Sequence, residues 1–257
     1  MQLARGARSR VGAAASLRIP GFTRSDSGTG GAWAVMLRLL VSSAARQRQC
    51  QRRLLSAPGH AAARRWFSTG VAEAQPVVLL GHPALRVVCE PCGTEDLSSE
   101  KAALVATLEA FRQANGFGRG IAAPQIGVTR RFIAVNMGDD HPIVCSPPRV
   151  LSDPVVTWRS PETFTLFDDC MSLPWILCAV RRHESISVEF TNEDGERETW
   201  SEVDKPLAEL LQHELDHLDG VLNLDLALPE GVISREVFDQ DPSAFKDTVD
   251  YFIEPTI

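Results

Sequence analysis

The sequence predicts an α+β domain, with mixed or antiparallel strands packed around one central helix. Three observations carry this. Leu207, Leu210, Leu211, Leu215 and Leu218 recur at helical spacing between a capping residue, Asp204, and a glycine stop, Gly220. Residues 131–137, 185–191 and 198–203 are strand-forming runs, the last two joined through Asp194-Gly195 as a hairpin. Strands and helices do not alternate regularly, and there is no internal repeat, so a doubly wound parallel sheet is not expected.

Charge divides the chain before any element does. Residues 1–72 hold twelve arginines, no lysine and one acid, Asp26, although the whole chain is −7. An Arg-, Ala- and Ser-rich, acid-poor leader has the composition of a transit peptide. Arg64-Arg65-Trp66-Phe67-Ser68 resembles a mitochondrial processing site, so residues 1–67 are expected to be removed, disordered, and addressed to the mitochondrial matrix. The competing reading, a basic arm for nucleic acid or membrane, lacks aromatic interleaving. The apolar run 32–41 is too short to span a bilayer. Neither direct nucleic-acid binding nor a membrane is expected.

The catalytic domain is expected over residues 76–230. Val77 to Leu80 reads as a strand, with Gly81-His82-Pro83 as its turn. Ser99 to Asn115 reads as a helix, on the spacing of Leu104, Leu108 and Phe111. Gly116-Phe117-Gly118-Arg119-Gly120 lacks the Lys-Ser/Thr pair of a phosphate loop, so its glycines instead admit a close backbone approach. Arg131 to Met137 is a strand, and Ser185 to Thr191 buries Ile186, Val188 and Phe190 on one face. Residues 231–257 read as an acidic tail, with a weak helix over 244–252. Cys89-Glu90-Pro91-Cys92 has redox or metal spacing but no second pair, and reads as an ordinary turn; no disulfide framework is expected.

The chemistry concentrates in His213-Glu214-Leu215-Asp216-His217. Two histidines four apart on a helix share a face and can hold one metal, with the glutamate beside them reaching a water. On a wheel of about 100° per residue they lie along the edge of the leucine stripe, while Gln212 and Asp216 point away from it. The bland alternative is a surface helix with two incidental histidines. Cys170 is the candidate third ligand; a thiolate and two imidazoles leave one position open, as catalytic sites do.

Three ordered stretches then resemble one family. Gly118-Arg119-Gly120-Ile121-Ala122-Ala123-Pro124-Gln125, Asp168-Asp169-Cys170-Met171-Ser172 and His213-Glu214-Leu215-Asp216-His217 are similar to the three motifs of the peptide deformylases, and Gly81-His82-Pro83-Ala84-Leu85-Arg86 looks like that family's opening. The resemblance covers roughly residues 76–228. It implies hydrolysis of the N-formyl group from formyl-methionyl nascent polypeptides, releasing formate. It implies one divalent metal, Fe2+ or Zn2+, held by Cys170, His213 and His217. Glu214 would be the general base, with the Gln125 side chain and the Met171 backbone N–H as oxyanion donors. Proximity to the ribosome would be transient, because Asp239, Asp241, Asp247, Asp250 and Glu254 make the tail acidic.

Three positions depart from the motifs. Arg119 replaces an apolar residue, Asp169 a glycine, and Asp168 a glutamate. Gly118, Arg119, Gly120 and Asp169 are expected to line the substrate cleft, either with Arg119 and Asp169 as a compensating charge pair across it or with both side chains in solvent and only their backbones on the cleft. Asp168 is expected to pair with Arg182 and brace the loop carrying Cys170. A related amidase with altered substrate range, a non-catalytic metal-binding homologue and a zinc endopeptidase are the competing functions; a retained Glu214 argues against the second, and the context of Cys170 against the third.

Overall fold

The computed structural model describes residues 72–253. The leader, its processing site and Glu254 lie outside them. The elements are α1 (Ser98–Asn115), β1 (Gly120–Ala122), β2 (Phe132–Val135), β3 (Arg149–Arg159), β4 (Thr163–Asp168), β5 (Ile176–His183), β6 (Ile186–Thr191), β7 (Arg197–Trp200), α2 (Lys205–Leu218), β8 (Val232–Ser234) and α3 (Arg235–Gln240), with short 3-10 turns between some of them. One antiparallel sheet has the order β1-β2-β3-β6-β7, and a second has the order β4-β5-β8. The α+β architecture is as expected.

The five-stranded sheet is covered on both faces, and this explains why Phe132-Ile133-Ala134-Val135 is apolar without alternation. Phe132 and Ala134 face α1, where they meet Leu104, Val105 and Leu108. Ile133 and Val135 face α2, in one cluster with Ile186, Val188, Phe190, Leu207, Leu211 and Leu218. Burying a side chain of this size contributes about 1.5–3 kcal/mol, so the leucine stripe is what holds α2 in place.

The ends of α2 follow from local chemistry. Asp204 caps its start, accepting from the Leu207 N–H at 3.2 Å, and Pro206 sits in the first turn where its missing N–H costs nothing. Gly220 turns the chain away at φ +72°, and a Cβ there would stand 2.9 Å from the Arg86 carbonyl carbon. The β6–β7 hairpin turns at Asp194-Gly195, with Gly195 at φ +81°.

Four expectations need correction. Val77 to Leu80 is not a strand: no strand among the described residues pairs with it, and its donors go singly to a 3-10 turn and a loop, Val78 N–H to Gln125 O and Leu80 N–H to Ser172 O, each at 2.9 Å. Residues 244–252 form no helix, only a 3-10 turn over Pro242–Phe245. The N–H groups of Asp250 and Tyr251 are committed instead to the Thr165 carbonyl. The acidic tail is not separate from the domain: β8 pairs with β5, and Phe238, Phe245 and Phe252 gather around Phe167. Gln212 does not point to solvent; it is buried, accepting from the His183 N–H and donating to the His183 carbonyl, both at 3.0 Å. Among the described cysteines, Cys89, Cys92, Cys170 and Cys178 are free.

Candidate active site

Helix α2 carries His213 and His217 one turn apart, and their Nε2 atoms stand 3.2 Å from each other. Cys170 arrives from the turn after β4, with its Sγ 3.3 Å from His217 Nε2. All three ligand atoms lie within 4.8 Å of one another, and all three residues are buried. Ligands about 2.0–2.3 Å from a tetrahedral metal stand roughly 3.3–3.6 Å apart, so the two closest separations suit one ion. The donor chemistry agrees. The Ser172 N–H, at 3.4 Å, and Gln125 Nε2, at 3.7 Å, both donate to the sulfur, which is therefore an acceptor.

Asp168 orients this cluster from behind. Its Oδ1 stands 2.7 Å from His213 Nδ1, which directs the other ring nitrogen toward Cys170 and His217. Its Oδ2 accepts from Arg182 Nη2 at 2.8 Å, so the expected partner is present. Arg182 also holds Asp216 of α2, tying β4, β5 and α2 together. Burial works against a charged Asp168, but His213 and Arg182 more than reverse it and hold its carboxyl far below the usual range. Burial likewise opposes a charged His213, and Asp168 overcomes that to raise its pKa well above the ordinary value. Burial and the neighbouring His213 hold His217 well below it.

Glu214 is 3 % exposed, and its Oε2 has no hydrogen-bond partner among the described residues. Burial raises its carboxyl to about 7, which suits a proton acceptor near neutral pH. Gln125 has two jobs. Its Oε1 accepts from the Ala122 N–H at 2.8 Å, fixing the side chain, while Nε2 points to Ser172 Oγ at 3.3 Å and to Cys170.

A cavity of about 240 Å³ opens onto these groups. Of the residues singled out from sequence, all but His217 and Arg182 line it. Strand β1 forms one wall and is the outer strand of its sheet. Gly118 holds φ +129°, with Met171 Cε 3.3 Å from where a Cβ would stand.

The expected Arg119–Asp169 pair is absent. Arg119 Nη1 contacts Glu209 Oε1 at 2.5 Å, and Asp169 Oδ2 accepts from Arg235 Nη2 at 2.8 Å. Nor does Arg119 point into bulk water, because its side chain is only 10 % exposed. Each charge has a partner on an element distant in sequence. Glu209 was legible in principle, lying one turn before His213 on the same helix face. Arg235, Phe238, Phe252 and Ile253, which also line the cavity, belong to the segment read as a tail and carried no signal.

Residues 74–230 match the family described as Polypeptide deformylase. A peptide deformylase of Methylocella silvestris is 36 % identical over 154 residues, 59 % of this chain and 76 % of that protein. Peptide deformylase 2 of Clostridium perfringens is 32 % identical over 151 residues, 59 % of this chain and 91 % of that protein. Among solved structures, the peptide deformylase of Thermotoga maritima superposes with a TM-score of 0.54 at 29 % identity, covering 61 % of this chain and 99 % of that one. A class I type b peptide deformylase from Acinetobacter baumannii bound to Met-Ala-Ser gives 0.53 at 26 % identity, over 60 % and 99 %.

Proposed function

The chain belongs to the polypeptide deformylase family, and we propose that its residues divide the hydrolysis of an N-terminal formamide as follows. The protein removes the N-formyl group from nascent polypeptides in a metal-dependent reaction. Cys170, His213 and His217 hold the divalent metal, either Fe2+ or Zn2+, since a His2Cys set suits several borderline ions. Bound there, the metal would supply Lewis acidity, which polarises a carbonyl and lowers the pKa of water. Glu214 accepts the proton of the attacking water and passes it to the leaving nitrogen as the C–N bond breaks, giving formate and a free amine. Gln125 Nε2 and the Met171 N–H donate to the oxyanion. The substrate backbone runs beside β1, whose outer side has no strand partner among the described residues.

The observation that carries this is the convergence of Cys170 Sγ and two histidine Nε2 atoms beside a buried, unpartnered Glu214 carboxylate oxygen. A structural metal site has no use for such a base. The test is formate release from formyl-methionyl peptides by protein purified anaerobically with iron, and separately with zinc. Tight binding of one metal without formate release from either preparation would leave a non-catalytic metal protein.

The matrix of the mitochondrion is the proposed location, with residues 1–67 as a removable leader; twelve arginines against a single acid in residues 1–72 support this. The mature chain should then begin near Ser68, and peptide mapping that finds the first sixty residues still attached would overturn it. Contact with the ribosome is proposed as transient proximity to emerging chains, because the acidic tail offers no basic anchor. No helix among the described residues is long and apolar enough to cross a membrane.

A further inference from the structure

Resting on the deformylase reading, we infer that the buried Arg119–Glu209 pair selects the substrate's first side chain. It opens the cleft to side chains that carry hydrogen-bonding groups, a class that an apolar wall would reject. Both residues line the cavity beside Gly120, His213 and Glu214. Glu209 stands one helical turn before His213 and so shares its face, while Arg119 lies between the two cleft glycines. Their side chains are 10 % and 2 % exposed. The wall beside His213 and Glu214 is therefore charged and nearly dry, and a side chain entering the cleft there would pack on it.

The pair is not used up by its own contact. Arg119 Nη1 meets Glu209 Oε1 at 2.5 Å and the Pro206 carbonyl at 3.3 Å. A guanidinium has five N–H donors and a carboxylate about four acceptor positions, so both signs of hydrogen bond remain on offer. An apolar side chain laid over them removes water and returns nothing. A carboxamide returns a donor and an acceptor together. A charged side chain gains less, since the pair is already balanced and either sign meets a like charge. The class is thus a neutral, hydrogen-bonding side chain of about methionine's size, and glutamine is the probe. Asp169 and Arg235, paired at 2.8 Å and lining the same cavity, extend the polar surface.

The rival is that the pair only braces β1 against α2, which would not touch side-chain selectivity. The test compares kcat/KM for formyl-Gln-Ala-Ser and formyl-Met-Ala-Ser in the metal-loaded full chain and in its Arg119→Leu/Glu209→Leu variant. The Gln-to-Met ratio should fall at least about tenfold in the variant, mainly through KM, because the pair acts on binding. A smaller fall overturns the inference. A second measurement needs no change to the pair: calorimetric binding of the products Gln-Ala-Ser and Met-Ala-Ser to metal-loaded Glu214→Gln protein. Binding of the glutaminyl peptide within about threefold of the methionyl one, or tighter, is expected for a hydrogen-bonding wall. A methionyl peptide that binds more than threefold tighter overturns the inference. Formate release from neither peptide, with that binding pattern kept, would sink the deformylase reading while leaving the selecting pair in place.

Discussion

The Glu214 carboxylate lies directly against Gly120: a Cβ built on that glycine would stand 2.5 Å from Glu214 Oε1 and 3.0 Å from its Cδ. The general base is thus positioned by the absence of a side chain on β1. Gly120→Ala should push Glu214 out of place and lower kcat/KM about 10²-fold or more, the lower range of general-base contributions. Bound metal should stay near one per chain. Metal analysis beside kinetics checks this, and an alanine variant with normal turnover would remove the positioning role.

Glu214→Gln keeps the shape and removes the base. Turnover should drop about 10²–10⁴-fold with metal affinity little changed. Cys170→Ala, in contrast, should lose the metal itself. Unimpaired formate release by the glutamine variant would take Glu214 out of the mechanism.

Asp168 acts through His213. Asp168→Asn should weaken metal binding about 10–100-fold, as losses of a partner behind a ligating histidine do. Arg182→Met should shift it the same way, since Arg182 holds Asp168 at 2.8 Å. Competition with a chelator measures both, and unchanged affinity in both variants would reduce the pair to a fold brace.

Arg119 and Glu209 also bear on stability. Arg119→Leu strands a carboxylate that is 1 % exposed and should cost about 3–5 kcal/mol, whereas Arg119→Leu/Glu209→Leu should recover most of it. Denaturant midpoints of the three proteins decide this, and additive losses would mean the two side chains do not interact.

Cys89 makes a pH prediction away from the metal. Burial lifts its thiol to about 11, with Arg131 opposing and Asp219 adding. A folded pKa above the unfolded one contributes stability that is fully present below the unfolded value. That stability is lost as pH rises through the folded one. Stability should therefore decline between about pH 9 and 11, and Cys89→Ala should flatten the slope. Urea midpoints at pH 8 and 10.5 test it; equal slopes in both proteins would contradict it.

Local pattern made much of this legible. The leucine spacing, Asp204 and Gly220 specified α2, because helix periodicity and capping are properties of neighbouring residues. The spacing of His213, Glu214 and His217 placed two ligands and a base on one face for the same reason. Cys170 entered as the ligand that would complete a catalytic site and Gln125 through the resemblance of whole motifs, since no spacing rule links either to α2. What the sequence left undecided was every relation between distant segments. Asp168 has two partners, His213 as well as Arg182, because β4 ends where α2 passes. Arg119 and Asp169 do not face each other, because Glu209 and Arg235 stand closer. Residues 231–253 read as a tail on charge alone, yet β8 and the Phe167 cluster fold them onto the cleft. Which donor a backbone or an ion finds depends on what packing brings near it, and only the tertiary structure sets that.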